Sequence, residues 1–215
     1  MEISLRLPFL LGDKADARPR LGTRSQLLSD NLRGRYAEQA KAGRVFIQTT
    51  TPLGLAIPIY TGTAPRVALW NPLGSNVDVE LISISAQRAS GTTVEFAAGL
   101  MRVLNAGAQV ATGAPFTAFA DDVPYNGQIG STGASKVRST SSGTVTTTAG
   151  VAGDFFYSLF HSYAAVGAST VDGTPWNHEF NGKVIVPPGA AIYLAASVAS
   201  VALYATSLVW AEHDR

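Results

Sequence analysis

The sequence predicts an all-β protein: an antiparallel β-sandwich of jelly-roll type, preceded by an extended N-terminal arm with one short helix. Three observations predict it. Near the end, two apolar runs, VIVPPGAAIYLAA at 184–196 and VALYATSLVWAE at 201–212, are broken only by Pro187-Pro188-Gly189 and small residues. Proline has no amide to donate and glycine tolerates positive φ, so this tripeptide stops one strand and turns the chain into the next. The same grammar recurs at Asn71-Pro72-Leu73-Gly74-Ser75, between RVALW at 66–70 and NVDVELISISAQ at 76–87. Strand, turn and strand again is the pattern of packed antiparallel sheets. Finally, 46% of the 215 residues are hydrophobic and only 14% charged, against about 25% charged in an ordinary soluble domain. A surface so poor in charge is expected to be covered by partners, as in a symmetric assembly, or to be kept wet by Ser, Thr and Gly.

Residues 1–44 read as the arm. They hold nine Lys/Arg against five acids, a net of +4, whereas the rest of the chain holds seven against ten, a net of −3. An Arg-rich segment on a slightly acidic body is expected to dock on something acidic, because Arg pairs bidentately with carboxylates and phosphates. Its bases are interleaved with acids, so an acidic protein surface is the expected target ahead of nucleic acid. Within the arm, Ser29-Asp30 is placed to cap a short helix over 31–42, which Gly43 would end. The opening residues are not expected to be an export signal, since Glu2 and Arg6 interrupt the apolar run and Pro8 follows. No Cys occurs, which removes disulfides and thiolate metal sites and fits folding in a reducing cytoplasm. No uninterrupted apolar stretch has the length and pattern of a membrane helix, and no membrane role is expected.

The sandwich is expected over 45–215, with about eight to ten strands. In VFIQTTTPLGLAIPIYTG at 45–62, Thr51-Pro52 separates two β-runs. In NVDVELISISAQ the Leu81-Ile82 doublet breaks strict alternation, which a bulge or burial on both faces would explain. Further strands are read at 92–104, 136–148, 151–163 and 179–186. The aromatic cluster Phe155, Phe156, Tyr157 and Phe160 is expected in the core, with Trp70 and Trp210 nearby. Residues 126–150 are dominated by Gly, Ser and Thr. Such a composition buries little apolar area and predicts a long exposed loop or hairpin.

Catalytic and metal motifs are sparse. His178-Glu179 lacks the second His that a zinc protease helix needs. Asp121-Asp122 offers clustered carboxylates for a hard cation or, more simply, a solvated turn. Residues 130–136 lack the Gly-Lys-Ser/Thr ending of a phosphate loop, and no Gly-x-Ser-x-Gly elbow occurs. Glu95, Asp154 and His161 could converge, although their spacing does not demand it. No catalytic residue, metal or cofactor is assigned. Trp176, Asn177 and His178, in the turn-like stretch VDGTPWNHEF, are the candidates for stacking on a sugar, with Trp176 as a plug for the sandwich end the other reading.

The block GRYAEQAKAGRVFIQTTTPLGLAIPIYTG, then ALWNPLGSNVDVELISIS, VIVPPGAAIYLAA and the terminal SLVWAE, resembles a group of tailed-bacteriophage virion proteins. These share a short basic leader, an Asn-Pro-x-Gly turn before a long strand, a Pro-Pro-Gly turn and a Trp-x-Glu ending. The resemblance implies a structural role with no catalytic residues. It also implies a trimeric sandwich on the outside of a capsid or at the tail or neck, assembled in the bacterial host cytoplasm. On that reading the chain is a decoration or cement protein whose partners are the major capsid protein or other virion proteins. Arg18, Arg20, Arg24, Arg33, Arg35 and Tyr36 are then the candidate contacts to the capsid, and a receptor- or carbohydrate-binding virion component is the alternative.

Overall fold

The computed structural model describes residues 20–21, 27–28, 36–61, 64–91, 95–104, 116–142, 145–147, 153–162 and 175–215. The chain divides into two units, Met1–Ala37 and Glu38–Arg215. In the first, β1 (Arg20–Leu21) and β2 (Leu27–Leu28) form an antiparallel pair, with Arg20 opposite Leu28.

Helix α1 (Ala37–Lys41) spans the division. Gly43, at φ 69°, ends it: the Gly43 amide donates to Ala40 O and the Arg44 amide to Gln39 O, each at 2.9 Å. Those two bonds satisfy carbonyls that the last helical turn leaves without partners. The stop falls where the sequence places it, but the helix occupies only Ala37–Lys41 of the expected 31–42, with Tyr36 in a turn; residues 31–35 and the Ser29-Asp30 cap lie outside the described residues.

Among the described residues, fourteen strands follow. They are β3 (Val45–Thr49), β4 (Leu55–Ala56), β5 (Ala68–Trp70), β6 (Val77–Ser90), β7 (Phe96–Leu104), β8 (Phe116–Phe119) and β9 (Tyr125–Asn126). Then come β10 (Arg138–Thr140), β11 (Val145–Thr147), β12 (Asp154–Ser162), β13 (Trp176–Glu179), β14 (Ile185–Val186), β15 (Ala190–Ala196) and β16 (Leu203–Asp214). One sheet has seven strands, in the order β13-β6-β16-β3-β9 with β14 also on β6 and β4 on β16. A second has five, in the order β10-β5-β15-β7-β12, and β8 and β11 form a third of two strands. Every strand pairing is antiparallel.

The seven- and five-stranded sheets enclose the main core. Val77, Val79, Leu81, Ile84, Leu208 and Trp210 face Leu69, Leu100, Ile192 and Leu194. The opposite face of the five-stranded sheet is not bare. Ala68, Met101, Val103, Ala191, Tyr193 and Ala195 form a second core with Phe116 of β8 and Val145 of β11. Successive side chains of β15 therefore alternate between two apolar layers, and all seven of its residues are buried. That explains an unbroken AAIYLAA where a strand with one wet face would alternate with polar residues. Each fully buried aliphatic side chain contributes about 1.5–3 kcal/mol.

The Leu81-Ile82 doublet is a bulge. Opposite β16, Val209 pairs with Ser83 and Trp210 with Leu81, so Ile82 is skipped. The extra residue restores the inward set of Val77, Val79 and Leu81 to Ile84 and Ala86.

Three expectations need correction. The segment 126–150 is exposed at 128–130 and 132–134, but Val137, Ser139, Thr140, Ser141, Val145 and Thr147 are buried, and it supplies both β10 and β11. Hydroxyl groups tolerate burial when they are hydrogen-bonded. Here Ser139 Oγ donates to Gln48 Oε1 at 3.0 Å, Gln48 Nε2 donates to Ser141 Oγ at 2.7 Å, and Ser141 Oγ donates to the Thr49 carbonyl at 2.7 Å. The aromatic cluster is also split. Phe156, Tyr157 and Phe160 pack on the main core, but Phe155 is half exposed, its ring lying where a side chain on Gly99 would stand. Trp210 stacks instead on Phe46, and Trp70 packs with Phe116 and Phe119 in the second core. Lastly, of the strand read at 179–186 only β14 at its end is formed; β13 ends at Glu179, and a turn in which Asn181 and Gly182 have positive φ stands between the two.

Candidate functional site

Strands β12, at the edge of the five-stranded sheet, and β13, at the edge of the seven-stranded sheet, meet through aromatic side chains. Strand alternation directs Trp176 and His178 inward and Asn177 and Glu179 outward. Trp176 lies 4.9 Å from Phe160, centroid to centroid, and stacks on His178 at 5.9 Å. His178 Nε2 is 2.8 Å from Tyr157 Oη, a hydrogen bond that joins the two sheets, and its ring meets Phe180 edge-on. The stretch read as turn-like is thus a strand, paired with β6 from Trp176 opposite Ala86 to Glu179 opposite Ser83. It does not bring the three glycan candidates together: Asn177 faces away from the other two. For Trp176 to stack on a sugar it would first have to give up Phe160 and His178.

Glu95, Asp154 and His161 do not form a cluster either. Asp154 opposes Arg102 and His161 opposes Ala97, at the two ends of β12; seven residues of extended chain separate them by about 23 Å. Glu95 immediately precedes β7 at the His161 end.

Most of the described carboxylates are committed to partners in the fold. Asp121 takes a bidentate pair from Arg138, at 2.8 Å from both Nε and Nη2, and that guanidinium lies 4.6 Å over the Trp70 ring. Asp122 accepts from the Ser141 and Ser142 amides at 2.7 and 3.0 Å and from Ser142 Oγ at 2.9 Å. Partial burial pushes the Asp122 carboxyl up, but these hydrogen bonds outweigh it and hold the group below its ordinary range. Glu212, although buried, accepts from Ser135 Oγ, Lys136 N and Trp210 Nε1. Asp214 is held low by the hydrogen bond and charge of Lys136 and the charge of Arg44. His213 meets Glu80 at 3.1 Å. Glu212 and Asp214 border a shallow hollow lined also by Arg44 and Lys136, where both charge signs are already paired. Among the described residues, no three of His, Asp or Glu approach closely enough to hold a metal ion.

Of the arm candidates, Arg18, Arg24, Arg33 and Arg35 lie outside the described residues. Arg20 is in β1 and Tyr36 directly precedes α1. Compared with protein-family models, with curated proteins and with solved structures, the chain matches none.

The surface features that stand out are apolar. Val123, Tyr125 and Ile129 are 89%, 68% and 100% exposed, on a segment without charge from 123 to 135. Leu53 and Tyr60, 78% and 46% exposed, flank β4, and Val198 and Val201, 48% and 68% exposed, precede β16. Both of these segments also lie in uncharged stretches, 45–65 and 184–211. The gaps in the charge pattern are the signal from which sequence reasoning could have located these surfaces. Periodicity could not, because it separates core from surface and does not distinguish one surface from another.

Proposed function

We propose that this chain is a non-enzymatic structural component of a tailed-bacteriophage virion, a decoration or cement protein that self-associates, as a trimer, on the particle's outer surface. The observation that carries this reading is a sandwich most of whose described carboxylates are paired within its own fold, combined with large apolar side chains standing out on uncharged segments. Solitary soluble domains rarely keep such side chains together in water, and assembly hides them. The basic segment before the sandwich, net +4 to residue 44, suits attachment to an acidic shell through Arg pairing. Several such segments tethered to one oligomer raise each other's effective concentration, so individually modest contacts add up to stable attachment. The major capsid protein is the partner this reading names.

The test is co-sedimentation with phage capsid shells that lack the protein. Removing residues 1–36, upstream of α1, is expected to leave a folded sandwich that stays in the supernatant while the full chain pellets with shells. Equal pelleting of the two would overturn the role given to the arm.

A further inference from the structure

Residues 116–122 and 138–147 run antiparallel as one ribbon whose two halves serve different sheets. In the base half, Asp122 bridges Ser139, its amide donating to the Ser139 carbonyl at 2.9 Å, and β10 joins the five-stranded sheet against β5. In the far half, β8 and β11 pair with each other, Phe119 opposite Val145, and among the described residues no strand ladder ties them to either large sheet. Between those two points one strand advances three residues, from Phe119 to Asp122, and the other six, from Ser139 to Val145. Extra residues on one strand bend a ribbon. This bend lays β8 and β11 over a face of the sheet that their own base extends.

The folded-over half covers the second core, adding Phe116 and Val145 to Met101, Val103, Ala191 and Tyr193. Arg138 latches it. The guanidinium is bidentate on Asp121, donates to the Phe119 carbonyl at 2.9 Å and lies over two rings, 4.6 Å from the centre of Trp70 and 5.1 Å from that of Phe119. Asp122 clips the bend itself by accepting from the Ser141 and Ser142 amides.

Two features make this half easier to lift than the sandwich is to unfold. Lifting breaks no ladder to a large sheet and exposes one small apolar layer, while the main core stays shut between the large sheets. Regions with few buried apolar contacts open at lower free energy than the whole molecule. The closed form also carries a defect, since Trp70 Nε1 is buried without a hydrogen-bond acceptor. A buried tryptophan N–H ordinarily finds a partner, and one without a partner is a cost to the state that buries it. The Phe116 and Phe119 rings packed on Trp70 belong to the folded-over half, so lifting it brings water to the indole and offsets part of the apolar exposure.

We infer that β8 and β11 form a flap that hinges at Asp122 and Ser141-Ser142 and opens with the sandwich intact, uncovering the second-core face of the five-stranded sheet and the indole N–H of Trp70. Arg138 is its latch. Opening of this kind requires neither a partner nor the proposed virion role.

The chain has no Cys, so a single introduced thiol reports on opening. Val103→Cys places one beneath the flap and Val79→Cys one in the main core, at positions that are both 0% exposed. Each folded variant is reacted with a thiol reagent in rising, sub-denaturing urea, under conditions where reclosing outpaces labelling. The thiol at 103 is expected to react about ten-fold or more faster than the thiol at 79. Its urea dependence should be shallow, because local opening exposes little surface, and that at 79 steep. Arg138→Gln, added to Val103→Cys, should speed its labelling by about ten-fold with the urea slope unchanged. Hydrogen exchange of the unmodified chain repeats the comparison without a core substitution: amides of β8 and β11 should exchange with a shallow urea slope, and those paired between β6 and β16 with a steep one. Equal rates and slopes at the two thiols, or amides of β8 and β11 that exchange only together with those of β6 and β16, would overturn the flap. Labelling at 103 that ignores Arg138→Gln would overturn the latch.

Discussion

Asn71 is completely buried, and its side chain stitches together two turns distant in sequence. Its amide nitrogen donates to the carbonyls of Val77 and Val186, each at 2.9 Å, and its oxygen accepts from Ser75 Oγ at 2.5 Å. Its backbone accepts from the Gly189 amide and donates to the Ala190 carbonyl. The Asn-Pro-Leu-Gly turn and the Pro-Pro-Gly turn are therefore one device. Asn71→Ala would strand two buried carbonyls and is expected to cost about 3 kcal/mol in chemical denaturation. The turn was legible in the sequence, but its stitch was not, since Val186 lies 115 residues away. Asp122 gives a pH signature. Its carboxyl titrates lower in the folded chain than its ordinary 3.8, so its stabilisation is complete above that value and disappears as pH falls through the folded one. Asp122→Ala is expected to lose about 2 kcal/mol at pH 7 and to show a shallower acid limb when melting temperature is followed from pH 6 to pH 2. An acid limb identical to wild type would remove Asp122 from this role.

The strands that sequence located well are those with long apolar patterns, β6, β7, β12, β15 and β16; those it missed are β1, β2, β8, β9 and β13, of two to four residues. Short strands have no period to read and exist because a neighbour offers a ladder. Residues 126–150 misled for a related reason: composition reports apolar area, whereas β10 and β11 are held by the Gln48, Ser139 and Ser141 network and by a second apolar layer. That layer was foreshadowed in AAIYLAA, whose lack of alternation requires cover on both faces. Truncating Leu194, 2% exposed on β15, is expected to cost about 3 kcal/mol. Ile185→Ala, on the half-exposed β14, should change stability by less than about 1 kcal/mol. Comparable losses at the two positions, measured by urea titration, would contradict the layered core. At the candidate site, the sequence pointed to Trp176 and His178, but only the pairing with β6 shows that Asn177 lies on the other face.

Over the whole molecule, charge is what organises the account. The first 44 residues carry a net +4 and the rest −3, and the body concentrates its uncharged stretches where large apolar side chains stand exposed. The carboxylates that could have suggested catalysis or metal binding are instead bound by Arg138, Ser141, Ser142 and Lys136 within the fold. Such a body fits the proposed self-association and attachment. Fold class was readable because hydrophobic period and turn chemistry are local; the occupant of an exposed surface is a property of two molecules and is written in neither alone. The proposed virion role is tested most directly by a cryo-electron microscopy reconstruction of the intact tailed-phage particle to which the proposal assigns this chain. The account predicts ring-like groups of this sandwich seated on the outer surface of the shell, with the basic segment running onto neighbouring capsid subunits. A particle that contains no density for it, in virions shown to be complete and infectious, would contradict the account.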